Sequence, residues 1–353
     1  MAYLPPIAHV IPMTRIRRAR QLPVQGVIAV TQNERVQATD VIAEAQAAPK
    51  HVFFDVAQTL GVSRSTAMRY LRRELGERVE KGDLLAGPVG LARRAIRAPQ
   101  AGRIVTVIDG KLLFETRSET LQLRAGFPGL VIGTDGLQVI NLETTGALVH
   151  CAWGNGQEDY GVMRMIGGSP ADRLETDRMD LQLRGAVLVA GICSDPTPLQ
   201  QAAELTVRGV VLGSMDAALI PFARTLPYPV VLTEGFGDLP LNQPAYDLLR
   251  SNQGREVAIN AQQANPFSGQ RPEIIIPLPV ATPMDVPEDL IALSPGVRVR
   301  VLRAPYAGRV GVVQTLVSHA ETYESGIMAR SARVDLLGER SALVPLANLE
   351  ILQ

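Results

Sequence analysis

Two segments of this chain align without a gap: Glu34-Arg35-Val36-Gln37-Ala38-Thr39-Asp40-Val41-Ile42-Ala43 and Glu77-Arg78-Val79-Glu80-Lys81-Gly82-Asp83-Leu84-Leu85-Ala86. A repeat constrains a fold more than composition does, because both copies must take one local structure and bury equivalent residues. Each copy reads as a short strand, a tight turn at the Thr-Asp or Gly-Asp step, and a second strand. The N-terminal third is therefore expected to be β-rich.

A third piece follows, Ile96-Arg97-Ala98-Pro99-Gln100-Ala101-Gly102-Arg103-Ile104-Val105-Thr106-Val107. It is similar to the A-P-x-A-G-x-V segment of lipoyl and biotinyl domains, and the preceding Gly76–Ala86 run fits their G-x-x-V-x-K-G-D-x-L-A. The resemblance implies a barrel-sandwich fold over 22–140. The family's carrier lysine is not carried over, because Lys111 in Asp109-Gly110-Lys111 sits in a turn without Met or Asp flanks.

Between the repeats, Asp55-Val56-Ala57-Gln58-Thr59-Leu60-Gly61-Val62-Ser63-Arg64-Ser65-Thr66-Ala67-Met68-Arg69-Tyr70 resembles the helix-turn-helix of repressor families. Ala57 is small where a second helix crosses, Gly61 suits a left-handed turn, and Ser63 suits a helix cap. The resemblance implies an insert over 52–75 with a helix at 64–75. Arg64, Ser65 and Met68 would face base edges, and Arg69, Arg72 and Arg73 phosphates. The alternative is a pair of helices used for packing or protein contact, because a strand follows directly at Gly76–Val79.

From 185 the pattern changes. Short apolar runs at Ala186–Ala190, Gly209–Leu212, Pro229–Leu232 and Val257–Asn260 alternate with helical patterns at Pro198–Val207, Asp216–Thr225 and Pro244–Asn252. That alternation predicts a parallel, Rossmann-like three-layer sheet over 185–277. Ligand sites in such sheets lie at the strand ends, here Ser194, Asp195, Ser214, Thr233 and Glu234. No glycine-rich phosphate fingerprint or serine elbow accompanies them. Upstream, 141–184 reads as a β-rich connection, with a strand, a glycine turn near Gly154–Gly156 and a return strand.

At the far end, Gly296-Val297-Arg298-Val299-Arg300-Val301-Leu302-Arg303-Ala304-Pro305-Tyr306-Ala307-Gly308-Arg309-Val310-Gly311-Val312-Val313 resembles the KOW motif of transcription elongation factors and ribosomal proteins. It implies an SH3-like barrel over 293–353, with 278–292 as linker. Alternation puts the valines inward and Arg298 and Arg300 outward. With Arg303, Tyr306 and Arg309 they form the candidate contact surface, for RNA, for protein or for the barrel's own neighbours.

Charge separates along the chain. Residues 1–125 hold 19 Lys and Arg against 11 Asp and Glu, residues 126–294 hold 9 against 19, and residues 295–353 hold 7 against 5. Basic ends around an acidic middle fit an anionic partner at the ends. Residues 1–21 read as a basic segment with no apolar signal-peptide core. No run approaches the length of a spanning helix, so a cytoplasmic protein without membrane contact is expected. Cys151 and Cys193 are too few for a disulfide framework, and the four histidines show no ligand spacing, so no metal or cofactor is assigned. The chain is read as a multidomain α+β protein. Its expected role is that of a non-catalytic binding or adaptor protein for nucleic acid, a ribonucleoprotein or a transcription complex. The alternatives are a structural scaffold that assembles with itself or another protein, and a small-ligand sensor or enzyme using the α/β region.

Overall fold

The computed structural model describes residues 3–265, 270–279, 285–288, 291–336 and 341–353, and it is β-rich. It opens with β1 (Ile7–Ala8), β2 (Val10–Gln21), β3 (Val27–Ile28), β4 (Arg35–Val36) and β5 (Val41–Gln46). A second unit follows at once: β6 (His51–Asp55), α1 (Val56–Leu60), α2 (Arg64–Ala67), β7 (Arg78–Val79), β8 (Leu84–Val89), β9 (Arg94–Arg97), β10 (Gly102–Ile108) and β11 (Lys111–Thr116). The chain then returns to the first unit with β12 (Thr120–Arg124), β13 (Gly129–Thr134) and β14 (Val139–His150).

These two units are copies, one nested inside a hairpin of the other. β4 lies on β13 with Val36 opposite Gly129, and β7 lies on β10 with Val79 opposite Gly102. β5 lies on β12 with Val41 opposite Arg124, and β8 lies on β9 with Leu84 opposite Arg97. Loop hydrogen bonds repeat too: Ala125 N–H donates to the Asp40 carbonyl as Ala98 N–H does to Asp83. Asn33 and Gly76 occupy equivalent turns and both take a positive φ, 69° and 79°. The row β2-β14-β13-β4 thus matches β6-β11-β10-β7. The sequence repeat extends accordingly, with Arg97-Ala98 and Gly102 matching Arg124-Ala125 and Gly129. Each unit has its own core, around Ile42, Phe127 and Ile140 in the outer and Leu85, Ile104 and Phe114 in the inner.

Next come β15 (Trp153–Gly154), β16 (Glu158–Met165), β17 (Ala186–Cys193), α3 (Pro196–Glu204), β18 (Gly209–Met215), α4 (Ile220–Ala223), β19 (Val230–Phe236), α5 (Gln243–Ser251), β20 (Glu256–Asn260) and β21 (Glu273–Pro277). β16, β17, β18 and β19 are parallel, and β17 and β18 are buried throughout, as runs of Val, Leu and Ala between two helical layers should be. Two expectations are corrected. β20 does not extend the parallel run, because β15 already holds the outer edge of β19; the chain crosses back and pairs antiparallel with β16 and β21. Nor do 143–156 form a hairpin: β14 pairs with β2, β13 and β21, while Trp153 goes to Leu232. Through β21 and β14 this sheet runs on into the outer unit, so β14 spans the boundary drawn at 140.

β22 (Arg298–Val301), β23 (Val310–Thr322), β24 (Met328–Leu336), β25 (Ala342–Pro345) and β26 (Leu349–Leu352) form the C-terminal sheet, in the order β1-β26-β22-β23-β24-β25. The described part of the basic segment, from Tyr3, is built into two sheets: β1 pairs in parallel with β26, and β2 lines β14. Of the segment expected to form the barrel, 337–340 lie outside the described residues, as do 280–284 and 289–290 of the linker. Among the described residues no helix is long and apolar enough to cross a membrane.

Candidate functional site

The helical pair sits where the outer unit has only residues 22–26. Ile28 pairs with Ala43 in the outer unit, and Leu71 bridges Ala86 at the equivalent place. α1 is capped by Asp55, whose carboxylate accepts Gln58 N–H at 2.9 Å, and closes on Gly61 at φ 69°. Ser63 caps α2 through Thr66 N–H at 3.3 Å. The second helix is shorter than 64–75: one 3₁₀ turn at Met68–Tyr70 follows α2, and Arg72 N–H then bonds to the Leu85 carbonyl at 2.9 Å. Strand pairing of the β unit claims residues 71–72 and ends the helix.

Arg64, Ser65, Met68, Arg69 and Arg72 are exposed, and Arg73 is half-buried. Arg64 pairs with Asp109 at 2.8 Å, and Arg73 pairs with Glu77 at 2.7 Å and Asp83 at 3.3 Å. Arg72 donates through Nε to the Gly87 carbonyl at 2.8 Å. Arg73 is thus committed within its own loop, whereas Arg64 and Arg69 remain at the surface.

On the C-terminal sheet, Arg298, Arg303 and Arg309 are exposed and Tyr306 is half-buried. Arg300 departs from the expectation: it is 3% exposed. Its guanidinium bonds to Glu350 on the paired strand, to Glu234 Oε2 at 2.7 Å and to the Thr233 carbonyl at 2.8 Å. Glu350 also takes Arg271 at 2.8 Å, and Arg271 donates to the Ile7 carbonyl at 2.5 Å. Burial works against the Arg300 charge, but Glu234 and Glu350 outweigh it and hold its pKa above the usual arginine value. Burial likewise opposes ionised Glu350, and Arg300 and Arg271 reverse that, leaving its pKa below the carboxylate range.

A presumed contact cation and a presumed ligand-pocket acid are therefore partners in one buried ionic junction. The other strand-end residues are also spent internally. Ser214 is fully buried, donating to the Gly237 carbonyl at 2.9 Å and accepting Leu239 N–H at 2.8 Å. Asp195 caps α3 through Thr197 N–H at 2.7 Å, Ser194 Oγ accepts from Arg173, and Thr233 Oγ1 leans on the Leu212 carbonyl at 3.4 Å.

A cleft of about 1700 Å³, unforeseen in the sequence, lies beside this junction, along β2, β16, β20 and β21. Arg18 reaches Glu273 at 2.8 Å through Nε, and Arg20 grips Glu158 with both terminal nitrogens at 2.6 and 2.8 Å. The Ile16-x-Arg18-x-Arg20 alternation was the available signal, since a strand sends those residues to one face. His9 and His150 meet edge to face at 4.6 Å close by. Burial, reinforced by His9, Arg271 and Arg18, pushes His150 down to about 2. Burial pushes Cys193 up to about 11 and Cys151 higher still, so both are thiols at neutral pH. The sequence matches no family model and no curated protein, so the functional reading rests on this geometry.

Proposed function

We propose that the protein is a non-catalytic binding or adaptor protein whose inner β unit contacts nucleic acid or a ribonucleoprotein through its helical pair. The carrying observation is that the outer unit closes the same β framework with residues 22–26 alone, so the fold does not require the pair. What the pair adds is an outward face bearing Arg64, Ser65, Met68, Arg69 and Arg72. The inner unit, 47–119, also holds the basic excess, with 13 Lys and Arg against 8 Asp and Glu. A helix this short suits backbone contact better than deep reading of base edges, because a single turn offers few side chains to a groove. Arg298, Arg303 and Arg309 of the C-terminal sheet, with its KOW resemblance, supply a second cationic surface. Arg300 is reserved for the buried junction.

Fluorescence anisotropy against short duplex DNA and single-stranded RNA, at low and near-physiological salt, tests the proposal. Binding should weaken as salt rises, with a log–log slope of roughly −0.7 to −0.9 per phosphate contacted. Changing Arg64, Arg69 and Arg72 together to Ala should flatten that slope and abolish most binding. Absence of binding at low salt, or binding undiminished in the threefold variant, refutes the assignment to this face.

A further inference from the structure

β6 stands at the edge of the inner sheet, which runs β6-β11-β10-β7. The Lys50 carbonyl accepts Thr116 N–H at 2.8 Å, and Val56 N–H donates to the Gly110 carbonyl at 2.9 Å. By antiparallel alternation the even-numbered residues of β6 bond to β11, so His51, Phe53 and Asp55 turn their N–H and C=O groups away from the sheet. Among the described residues no strand pairs with that edge. The side chains of these three share the outer face, where Phe53 is 72% exposed beside half-buried Leu113, and Ile108 is 68% exposed.

The outer unit shows what the fold itself needs at these positions. There Arg17–Glu143, Ala19–Asn141 and Gln21–Val139 stand where the inner unit has His51–Glu115, Phe53–Leu113 and Asp55–Lys111. A polar pair is kept, at 2.7 Å for Arg17–Glu143 and 3.3 Å for His51–Glu115. The middle pair changes from Ala and Asn to Phe and Leu. Since Ala19 and Asn141 support the same sheet, folding alone does not call for an exposed phenylalanine. The free edge of β2 also has cover further along, where the Asp285 carbonyl accepts Arg15 N–H at 3.2 Å and the Thr14 hydroxyl at 2.8 Å.

We infer that β6 pairs with β6 of a second copy of this chain, antiparallel and centred on Phe53, joining two inner sheets into one. The strand is self-complementary in that register. A two-fold axis at Phe53 stacks the two phenylalanines and sets each His51 opposite Asp55 of the other copy, so each polar end meets a hydrogen-bonding partner. His51 and Phe53 present both outward backbone groups and Asp55 its N–H, the Asp55 carbonyl being taken by the first turn of α1, so about four ladder hydrogen bonds close. A shift of two residues would place His51 against Phe53 and lose both His51–Asp55 pairings. Edge strands left open are templates for such pairing, and a five-residue edge forms a small interface, hence a reversible, exchangeable dimer.

Sedimentation equilibrium of the full chain, without nucleic acid and at up to ~100 μM, tests the inference. A monomer–dimer equilibrium is expected. Phe53→Lys should weaken it at least ~30-fold by placing two like charges on the axis. Phe53→Ala, which reproduces the residue the outer unit carries there, should also weaken it while leaving the fold and its circular dichroism unchanged. Phe53→Cys should give a covalent dimer under mild oxidation, because hydrogen-bonded antiparallel partners lie within disulfide reach. Val52→Cys, facing the opposite side, should give none. A wild-type chain that stays monomeric throughout, or a dimer indifferent to both Phe53→Lys and Phe53→Ala, overturns the inference.

Discussion

Replacing Arg300 by Met removes the cation at the centre of the buried junction and nothing else of comparable size. Glu350 keeps Arg271 at 2.8 Å, but Glu234, whose side chain is 1% exposed, loses its cation at 2.7 Å. What remains to Glu234 is Asn242, donating from its side chain at 2.6 Å and its backbone at 3.3 Å. A buried carboxylate stripped of its partner typically costs about 3–5 kcal/mol, a large part of the ~5–15 kcal/mol that holds a domain folded. Adding Glu234→Gln removes the stranded charge while keeping the acceptor for Asn242, so the double variant should recover more than half of the loss. The single tryptophan, Trp153, reports on this region directly, because it pairs with Leu232 and meets Phe236 at 5.6 Å. Urea titrations followed by its fluorescence should show a lower midpoint at unchanged slope for Arg300→Met. A loss below ~1 kcal/mol, or a double variant as unstable as the single one, would mean that the junction is solvated and the burial argument wrong.

The junction was hidden from the sequence for a definite reason. Alternation along β22 places Arg298 and Arg300 on one face, and Arg298 is indeed exposed. At Arg300 that face is covered by the end of β19, 66 and 67 residues earlier in the chain, and no local pattern announces such a contact. The turns of the repeat were legible because their chemistry is local: Asp40 accepts Gln37 N–H at 2.7 Å and Asp83 accepts Glu80 N–H at 3.1 Å. Its second half was not, because the inner unit separates β5 from β12 and little beyond Arg-Ala and a glycine survives in common. The apolar runs of β17, β18 and β19 read as buried strands from their sequence alone. β16, which starts with exposed Glu158 and half-buried Asp159, Tyr160 and Gly161, lacks that signature and reads as part of a connection, although it sits at the middle of the sheet. The capping residues Asp55, Gly61 and Ser63 do their local work, but helix length is set by the strand pairing at Leu71, which capping rules cannot see.

Acid should destabilise the protein from a higher pH than carboxylates alone would dictate. An unfolded histidine binds a proton near pH 6.5, whereas folded His150 holds out to about 2. The stabilisation is therefore complete above 6.5 and is lost as pH falls below it, at up to ~1.4 kcal/mol per pH unit. Urea midpoints measured between pH 7.5 and 5 should fall more steeply for the wild type than for His150→Leu, and equal slopes would exclude the histidine as the cause. The nested duplication makes a separate demand on the outer unit. Gln46 lies directly opposite Thr120, and Ala47 N–H donates to the Glu119 carbonyl at 2.9 Å, so the inner unit leaves and rejoins its host at adjacent points. The two cores share no residue. Replacing residues 48–118 with an Asn-Gly turn should then close an ordinary hairpin between β5 and β12, since Ala47 and Glu119 form the hydrogen-bonded pair that a two-residue connection needs as its flanks. The shortened chain should unfold cooperatively, with its Trp153 emission unchanged, and should lose both the salt-dependent binding and the Phe53-dependent dimer together. A shortened chain that fails to fold would show that the outer unit needs the inner one for its stability, and that the two copies are not independent.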